Sequence, residues 1–467
     1  MTNSLDKEKL LSILPPVKEG PFLANIQQLK KGKIDTIIVL DDDPTGTQTV
    51  YDVPVLTDWS FEAILREFNL GSPLFFILTN SRSLTEEEST KITQQIGENI
   101  RKAAKEANTS FWVISRSDST LRGHYPSEVT ALAVGLDWEQ PVQFIIPAFF
   151  EGGRYTVNDV HYVQKGQQFI PASETPYAKD KVFGYQYANL KSWVAEKNNG
   201  LIKADSVATI SIEALRTQPL KALVEQINQL KNGDVCVVNA ADYADLLQLT
   251  IALLKSNIRP IFRTAASFVR AVAGLAEKKL LDGKRLTSGT EKGGLTIVGS
   301  YVPTSTSQLR HLLSHQAELV KIEISVEQLL AENNFERAYQ TYANTISEQL
   351  QKGQSVVLFT SRKLITATSE EANQQIGKRI SRFLTQIVGH LTVCPAYLLT
   401  KGGITSSDIA TKSIGVQRAM VKGQIIKGVP VWELGPETKF PKSHQIIFPG
   451  NVGTESSLTE VIRKLEI

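Results

Sequence analysis

Short apolar runs alternate with amphipathic stretches along almost the whole chain. In the first half, the predicted strands are the apolar runs at residues 34–40, 73–78, 111–115, 142–147 and 234–239. Most of these runs are apolar at every position, which is typical of strands covered on both faces of a sheet. The amphipathic stretches between them, such as FEAILREF and PSEVTALAVGL, have the periodicity of helices. This alternation predicts an α/β fold with mainly parallel sheets.

The same pattern starts again after a charged, glycine-containing stretch in the second half of the chain. Its predicted strands are residues 295–300, 319–324, 355–361 and 395–403. One predicted helix begins near Thr304, and another runs from about Asn333 to Gln351. We therefore predict two α/β domains, residues 1–280 and 295–467, with a linker at residues 281–294 and a cleft between the domains.

Composition excludes several classes of protein. The formal net charge of +3 is too small to indicate binding to nucleic acid or to a membrane surface. Cys236 and Cys394 are far apart and belong to no Cys/His cluster, which argues against a disulfide scaffold or a zinc site. The sequence has neither the pattern of a signal peptide nor an apolar run of membrane-spanning length, so we predict a cytoplasmic protein. Its apolar strand ends would permit a homodimer.

Three consecutive aspartates, Asp41, Asp42 and Asp43, directly follow the first predicted strand. Neighbouring carboxylates raise one another's pKa, so cationic partners are expected beside them. Polar residues also follow the second and third predicted strands, at residues 79–83 (TNSRS) and 115–124 (SRSDSTLRGH). Ligands of open α/β sheets bind at the carboxyl ends of the strands, so these segments predict a site. Aspartates and arginines in such positions also form helix caps and structural ion pairs, and this alternative stays open.

Three glycine-rich turns in the second half each follow an apolar run, at residues 298–300 (VGS), 401–406 (KGGITS) and 448–453 (FPGNVG). Glycine allows backbone N–H groups to approach an anion closely, and a helix N-terminus adds a favourable dipole. Three such turns in one domain favour phosphate binding. The chain contains neither the GxxxxGK[ST] loop nor the GxGxxG fingerprint, so a nucleotide would be held by a different arrangement.

Two classes of enzyme are compatible with the aspartate triplet. Asp41-x-Asp43-x-Thr45 resembles the DxDxT motif of haloacid-dehalogenase-like phosphatases, in which the first aspartate attacks phosphorus. Such an enzyme needs a later acidic pair for magnesium, and Asp242 and Asp245 are the nearest match. This interpretation leaves the second domain unexplained. A non-catalytic protein that binds a sugar acid and a nucleotide is a third possibility.

The second class of enzyme is indicated by six motifs that span nearly the whole chain. They are Asp42-Asp43-x-Thr45-Gly46 (ADDxTGA), Asp118–Gly123 (DSTLRG), Val298-Gly299-Ser300 (VxGS), Gly402-Gly403-x-Thr405-Ser406 (GGxTS), Gly428-Val429-Pro430 (GVP) and Gly450-Asn451-x-Gly453 (SGNFG). In this order they resemble the four-carbon acid sugar kinase family, formerly a domain of unknown function. The sequence departs from the family where Asp41 replaces an alanine, Arg116 replaces a lysine and Phe448-Pro449 begins the last turn.

The resemblance implies an ATP-dependent kinase that uses Mg²⁺ and acts on a threonate, an erythronate or a 3-oxo-tetronate. Asp42 and Asp43 are then the catalytic residues, with the base not assigned between them. The implied substrate-binding residues are Asp42, Thr45, Arg82, Arg116, Asp118, Ser119 and Arg122. The implied nucleotide-binding residues are Ser300, Gly402, Gly403, Ile404, Thr405, Pro430, Gly450, Asn451 and Gly453. Metal ligands are not assigned, and Lys401 is a candidate for the γ-phosphate by position alone.

Overall fold

The computed structural model describes residues 4–287, 289–331, 335–362, 365 and 370–466. Its contacts divide the chain into two compact units, the first ending at Glu277 and the second beginning at Lys278. Each unit has a mainly parallel sheet with helices, which confirms the predicted fold class. The predicted linker contains a short helix, Gly283–Thr287, that belongs to the second unit. In the part of the chain that is described, no helix is both long and apolar enough to cross a membrane.

The first unit is built on one large parallel sheet. Its strands and those of a small second sheet are β1 (Leu5–Asp6), β2 (Thr36–Asp41), β3 (Val53–Leu56), β4 (Leu74–Leu78), β5 (Phe111–Arg116), β6 (Val142–Ile146), β7 (Arg154–Val157), β8 (Val160–Lys165), β9 (Gln168–Pro171), β10 (Ala208–Ile210), β11 (Val235–Val238) and β12 (Pro260–Thr264). The large sheet has the strand order β10-β11-β6-β12-β5-β2-β4-β3, and each neighbouring pair is parallel.

Helices cover this sheet. They are α1 (Lys7–Ser12), α2 (Phe22–Lys30), α3 (Phe61–Asn69), α4 (Glu86–Glu106), α5 (Ser127–Leu136), α6 (Leu190–Lys197), α7 (Ile212–Thr217), α8 (Leu220–Asn228), α9 (Tyr243–Lys255) and α10 (Ala266–Ala273). All residues of β2 and β4 are buried, as their unbroken apolar pattern predicts. Each fully buried Ile or Phe side chain in these strands stabilises the unit by roughly 1.5–3 kcal/mol.

The small second sheet has the order β1-β9-β8-β7 and is antiparallel. It packs, with the segment that follows it, against the loop after β5. The Tyr185 hydroxyl donates a hydrogen bond to the carbonyl of Thr120 (2.8 Å), and the His161 ring lies with Nε2 2.7 Å from the carbonyl of Ser119. Residues 154–197, which lie between β6 and β10 in the sequence and include most of the small sheet, form an inserted segment. This inserted segment fixes the backbone of the DSTLRG loop from outside the large sheet.

The second unit repeats the parallel arrangement and adds a hairpin. Its strands are β13 (Leu295–Val298), β14 (Val320–Ile324), β15 (Val356–Thr360), β16 (Leu398–Lys401), β17 (Arg418–Ile426), β18 (Val429–Leu434) and β19 (His444–Phe448). Its helices are α11 (Gly283–Thr287), α12 (Pro303–His315), α13 (Val326–Ala331), α14 (Phe335–Gln351), α15 (Glu370–Gly389), α16 (Gly403–Asp408) and α17 (Ser457–Glu466). The predicted start of α14, Asn333, lies outside the described residues.

The order of strands in this unit is β17-β18-β19-β16-β13-β15-β14. The pairs from β19 to β14 are parallel, whereas β17, β18 and β19 are joined antiparallel. The sequence pattern does not predict the β17–β18 hairpin. Residues along β17 alternate between buried and half-buried positions, so this strand lacks the continuous apolar run that marks the parallel strands.

Candidate functional site

Four neighbouring strands of the first unit end side by side. The register pairs Asp41 with Leu78 of β4 and with Arg116 of β5, and it pairs Arg116 with Thr264 of β12. The polar segments that follow β2, β4 and β5 therefore meet at one edge of the sheet, as their positions in the sequence predict. This edge brings aspartates and arginines into direct contact.

Asp42 is the most strongly held carboxylate of the triplet. Arg82 grips it with two parallel contacts, Nη2 to Oδ1 at 2.8 Å and Nε to Oδ2 at 3.1 Å, and the Ser117 hydroxyl also donates to it. Burial acts to raise the pKa of Asp42, but Arg82 and Arg116 beside it hold that pKa below its ordinary value. Asp42 is thus a fixed anion that orients Arg82.

Asp43 is the accessible carboxylate. Its side chain is 18% exposed, against 2% for Asp41 and for Asp42. Its Oδ1 accepts a hydrogen bond from the backbone N–H of Thr45 at 2.8 Å, and its Oδ2 lies 3.5 Å from Nη2 of Arg82. The backbone of the short helical turn that begins at Pro44 therefore holds Asp43 in place, with part of its carboxylate facing solvent.

Asp41 is buried beneath the other two aspartates. Its Oδ1 lies 3.0 Å from Nη1 of Arg116, and within the described residues its Oδ2 has no hydrogen-bond partner. The pKa of Asp41 is raised to about 7, mainly by burial; Arg116 beside it acts to lower this pKa, and the charges of Asp42 and Asp43 act to raise it. A Cβ atom at Gly46 would lie 1.9 Å from Oδ2 of Asp41, so the glycine of the TGT segment is needed for packing onto this carboxyl group.

The raised pKa of Asp41 makes stability depend on pH. The folded pKa of about 7 lies above the ordinary value of 3.8. Between these values the folded protein binds more protons than the unfolded chain, so this contribution to stability is present at low pH and is lost as the pH rises. Asparagine at this position cannot ionise and should remove the effect.

We expect the free energy of unfolding of Asp41→Asn, minus that of the unmodified protein, to increase by on the order of 2 to 3 kcal/mol between pH 5 and pH 8. Denaturant titrations of both proteins at the two pH values check this, because groups that do not interact with Asp41 cancel in the difference. A difference that stays constant with pH would contradict the prediction.

The DSTLRG loop extends the cluster. Arg122 Nε lies 2.7 Å from Oδ2 of Asp118, and Arg82 Nη1 lies 3.7 Å from its Oδ1. Burial acts to raise the pKa of Asp118, but Arg122 and Arg82 hold it well below its usual range. Arg122 also lies 3.4 Å from Asp180 and stacks over the ring of Tyr177, both from the inserted segment.

The structure therefore brings together most of the residues implied as substrate-binding. Asp42, Arg82, Arg116, Asp118 and Arg122 form one chain of ion pairs, and Asp43 with Thr45 lies at its accessible end. Ser119 is outside this chain of ion pairs, and its backbone carbonyl is engaged by the His161 ring of the small sheet.

Sequence reasoning missed a second buried ion pair beneath this cluster. Arg263 of β12 lies with Nη1 2.8 Å from Glu128 of α5 and 3.0 Å from the Ser115 hydroxyl. The hydroxyls of Ser81 and Ser89 also donate to Glu128. The run PIFRT was not predicted as a strand because it holds only two strongly apolar residues. The one feature of the sequence that could have marked this ion pair is an arginine inside a short apolar run.

A small cavity with room for about one water molecule adjoins Asp118 at the carboxyl ends of β6 and β12. Its walls are Asp118, Leu121, Arg122, Ile145, Pro147, Trp193, Arg263 and Thr264. Four of these are apolar or aromatic and four are polar or charged, so a buried water there would find polar partners. The cavity continues the chain of charges from Asp43 through Arg82 and Asp118 into the interior of the unit.

The acidic pair that a phosphatase would need does not meet the triplet. Asp242 and Asp245 form the capping box at the start of α9, and Asp245 pairs with Arg216 at 2.7 Å. Three strands, β6, β12 and β5, separate β11 from β2 in the sheet. At about 4.8 Å per strand, the two sets of aspartates belong to regions roughly 19 Å apart. The geometry therefore gives Asp242 and Asp245 a structural role.

The glycine turns of the second unit also lie side by side. The register pairs Val298 of β13 with Lys401 of β16, and Lys401 with Phe448 of β19. The residues that follow, 299–300, 402–403 and 449–450, therefore meet at one carboxyl edge. The Ser305 hydroxyl contacts the Ser300 hydroxyl at 3.2 Å and the Gly450 carbonyl at 3.3 Å, which ties the first turn to the third.

Two glycines in these turns leave little space for a side chain. A Cβ atom at Gly299 would lie 2.5 Å from Oγ1 of Thr405, and one at Gly402 would lie 3.0 Å from Cβ of Ser300. Gly402 also has a φ of +113°, which L side chains rarely adopt. The close approach of these turns therefore depends on glycine at positions 299 and 402.

The remaining residues of this edge differ in exposure. Ile404 is 58% exposed, Asn451 is exposed, and Pro430 is buried in β18. The turn that carries Pro430 begins at Gly428, which lies next to Val452 of the last glycine turn. Ile404 and Asn451 are therefore available to a ligand, whereas Pro430 supports the turn from within the sheet.

Lys401 does not project from this edge. It is fully buried, and its amine donates to the carbonyls of Pro449 and Gly450 and lies 4.2 Å from the centre of the Phe448 ring. Burial lowers the pKa of Lys401 to about 7. Its position therefore fits a support for the last turn rather than a contact with a γ-phosphate.

Arg362, which the sequence pattern did not indicate, supports the first turn in a similar way: its Nη1 donates a hydrogen bond to the Ser300 carbonyl at 2.7 Å.

Comparison with known families decides what kind of protein has these two sites. Residues 37–272 match a family described as a sugar-binding N-terminal domain, and residues 295–458 match one described as a nucleotide-binding C-terminal domain. The chain belongs to the four-carbon acid sugar kinase family. In this family member the first unit is accordingly a sugar-binding domain, and the second is a nucleotide-binding domain.

Solved structures share the fold of this family member at low sequence identity. Haemophilus influenzae protein HI1011, of the DUF1537 family, is 18% identical with a TM-score of 0.59, covering 92% of this chain and 100% of that one. A Salmonella typhimurium LT2 protein, provisionally named a tRNA synthase, is 16% identical with a TM-score of 0.64 and the same coverage. No curated protein matches the chain significantly. Such identities establish the common fold alone.

Proposed function

We propose that the protein is an ATP-dependent kinase that transfers the γ-phosphoryl group of ATP to a hydroxyl of a four-carbon sugar acid. The observation that carries this proposal is Asp43, a partly exposed carboxylate held 3.5 Å from Arg82 at the strand ends of a sugar-binding domain. A carboxylate in that setting can accept the proton of an attacking hydroxyl. The nucleotide-binding domain supplies the phosphoryl donor.

The two other aspartates take supporting roles in this proposal. Asp42 is engaged by Arg82 on both oxygens and is a poor base, because its pKa is held low. It serves to orient the Arg82 guanidinium beside Asp43. Asp41 is buried and anchors Arg116. Among the three, Asp43 is therefore the proposed general base, and its hydrogen bond from Thr45 fixes its direction.

In the second unit, the glycine turns are the proposed phosphate site. Ser300, Gly402, Gly403, Thr405, Gly450, Asn451 and Gly453 would line it. Glycines there let backbone amides reach phosphate oxygens. Ile404 is exposed directly beside Gly403 and would contact the nucleotide through its apolar side chain.

Mg²⁺ would enter with ATP. Among the described residues, no group of three or more His, Cys, Asp or Glu side chains is arranged to hold a metal ion. Magnesium at kinase sites is often held by few protein ligands together with substrate phosphates. The hydroxyl oxygens of Ser300 and Thr405 would supply such ligands beside the phosphates, as the Ser/Thr hydroxyl of a P-loop does. Bound there, the ion would neutralise charge on the phosphates.

The proposal is tested by incubating the purified protein with Mg-ATP and a panel of four-carbon sugar acids while ADP is measured. We expect ADP release that depends on one of the acids, and a phosphorylated acid as the second product. Binding of Mg-ADP should raise the melting temperature, since a ligand of the folded state stabilises by RT ln(1 + [L]/Kd). Phosphate release from a phosphorylated sugar acid without ATP would instead favour the phosphatase. Binding of both ligands without turnover would favour the binding protein.

Lys401→Met is expected to weaken Mg-ADP binding about 10-fold. The variant keeps an apolar chain of similar length but loses the buried donor to the carbonyls of Pro449 and Gly450, and a hydrogen bond of this kind contributes about 0.5–1.5 kcal/mol. Calorimetric titration with Mg-ADP measures the change. Lys412→Met removes an exposed lysine of the same unit and serves as the control. Equal affinities for the two variants would argue against a supporting role for Lys401.

A further inference from the structure

The glycine turns after β13 and β16 lie at the point where the strand order of the second unit reverses. The strands that follow β13 in the sequence, β14 and β15, lie on one side of it, whereas β16 and β19 lie on the other. In open parallel sheets, a ligand crevice forms at such a reversal, between the segments that leave the two neighbouring strands. Here those segments are residues 299–302 and 402–405.

Each of these two segments carries one exposed apolar side chain. Tyr301 is 65% exposed, and Ile404 is 58% exposed. In the described part of the second unit, Leu280 is the other large hydrophobic residue that is exposed. Single exposed apolar side chains are common on protein surfaces, but two on opposite sides of one ligand crevice indicate an apolar ligand group between them.

The backbone that carries Tyr301 is fixed although its ring is exposed. Arg362 donates to the Ser300 carbonyl at 2.7 Å, and the Thr306 hydroxyl donates to the Tyr301 carbonyl at 3.4 Å. Pro303 begins α12 two residues later and restricts the chain further. A tyrosine side chain has only two rotatable torsions, so it offers a large flat surface at a small cost in entropy. The ring is therefore suited to stack on a flat ligand group.

A nucleobase is the ligand group that matches this surface. Residues 295–458 match a nucleotide-binding domain, and the glycine turns beside Tyr301 are the proposed phosphate site. Every nucleobase has a flat π face that stacks on aromatic side chains. The hydroxyl groups and carboxylate of a sugar acid would instead need hydrogen-bonding partners, which two exposed apolar side chains do not provide.

We infer that Tyr301 and Ile404 clamp the base of the bound nucleotide, with one face of the base on the Tyr301 ring and the other against Ile404. The inference rests on the proposed function, because it places the base of the nucleotide whose phosphates the glycine turns are proposed to hold. Tyr301 is then a binding residue for the phosphoryl donor that makes no contact with the phosphates.

The test is calorimetric titration of the nucleotide-free protein with Mg-ADP and with Mg-pyrophosphate, which has the phosphates but no base. Tyr301→Phe keeps the aromatic ring, whereas Tyr301→Leu removes it. We expect Tyr301→Leu to raise the Kd for Mg-ADP about 10-fold and Tyr301→Phe to leave it within about 2-fold, since the ring alone supplies the stacking. The Kd for Mg-pyrophosphate, measured by competition with Mg-ADP, should change less than about 2-fold in both variants.

Two further variants complete the experiment. Ile404→Ala shortens the other side of the clamp and should raise the Kd for Mg-ADP about 3-fold, because less apolar surface is covered by the base. Tyr187→Leu is the matched control, since Tyr187 is an exposed tyrosine of the first unit. This control should leave both affinities unchanged. Melting temperatures confirm that each variant is folded.

The outcomes separate this inference from the proposed function. If Tyr301→Leu and Tyr301→Phe bind Mg-ADP equally well, or if Tyr301→Leu weakens Mg-pyrophosphate as much as Mg-ADP, the clamp is wrong, while turnover of a sugar acid would still support the kinase. If Mg-ADP affinity depends on the ring as expected but no sugar acid is phosphorylated, the clamp stands and the kinase is wrong. An unmodified protein that binds no Mg-ADP would overturn both.

Discussion

Asp43→Asn is expected to lower kcat by about 10²–10⁴-fold while leaving Mg-ADP affinity within about 2-fold of the unmodified protein. The asparagine can still accept the hydrogen bond from the Thr45 N–H, so the turn keeps its shape. It cannot take a proton from an attacking hydroxyl. Steady-state ADP release and a thermal titration with Mg-ADP measure the two quantities separately.

The matched control for this variant is Asp242→Asn. Asp242 is also an N-terminal cap in the first unit, and its side chain accepts from the Ala244 N–H at 2.8 Å. It therefore reports what an Asp-to-Asn change at a cap does by itself. Turnover by Asp43→Asn at the rate of the control would remove Asp43 from the role of base and leave Asp42 or Asp41 to be examined.

Gly402→Val is expected to abolish detectable Mg-ADP binding, raising the Kd by at least about 100-fold. The new side chain would begin 3.0 Å from Cβ of Ser300, in the space where two glycine turns meet, and the residue would be strained at a φ of +113°. Sugar-acid binding by the first unit should persist. Separate calorimetric titrations with Mg-ADP and with the sugar acid measure both effects.

Gly415→Val separates backbone strain from loss of space. Gly415 lies in the same unit with a φ of +70°, and an added Cβ atom there meets nothing within 4 Å. We expect this variant to lose stability, since valine rarely adopts such a φ, and to keep its nucleotide affinity. Normal nucleotide binding by Gly402→Val would show that phosphates do not bind against these turns.

The fold was predictable wherever strands are buried on both faces. β2, β4 and β5 stand out because each is a continuous apolar run, and their parallel pairing follows from the helices between them. β17 escaped prediction because its polar and apolar residues alternate. β12 escaped because its apolar run is short. The pattern of a strand depends on how many of its faces are covered, so one template cannot find every strand.

The site was predictable to the extent that it lies directly after those strands. Asp42, Arg82 and Arg116 were found because each stands at or just past a strand end. Glu128 and Trp193 were not found, because they lie on helices and no local motif marks them. Only tertiary packing brings them beneath and beside the cluster. Residues that support a site from a distance in sequence leave little trace in a local pattern.

Arg82 contacts Asp42 and Asp43 and lies 3.7 Å from Asp118. Because one guanidinium serves three carboxylates, the effect of changing any one of them depends on which others are present. Such substitutions should be epistatic rather than additive, and the order in which they arise should matter. The acceptor end of this protein therefore constrains its own evolution, since a new substrate preference would require several of these residues to change together.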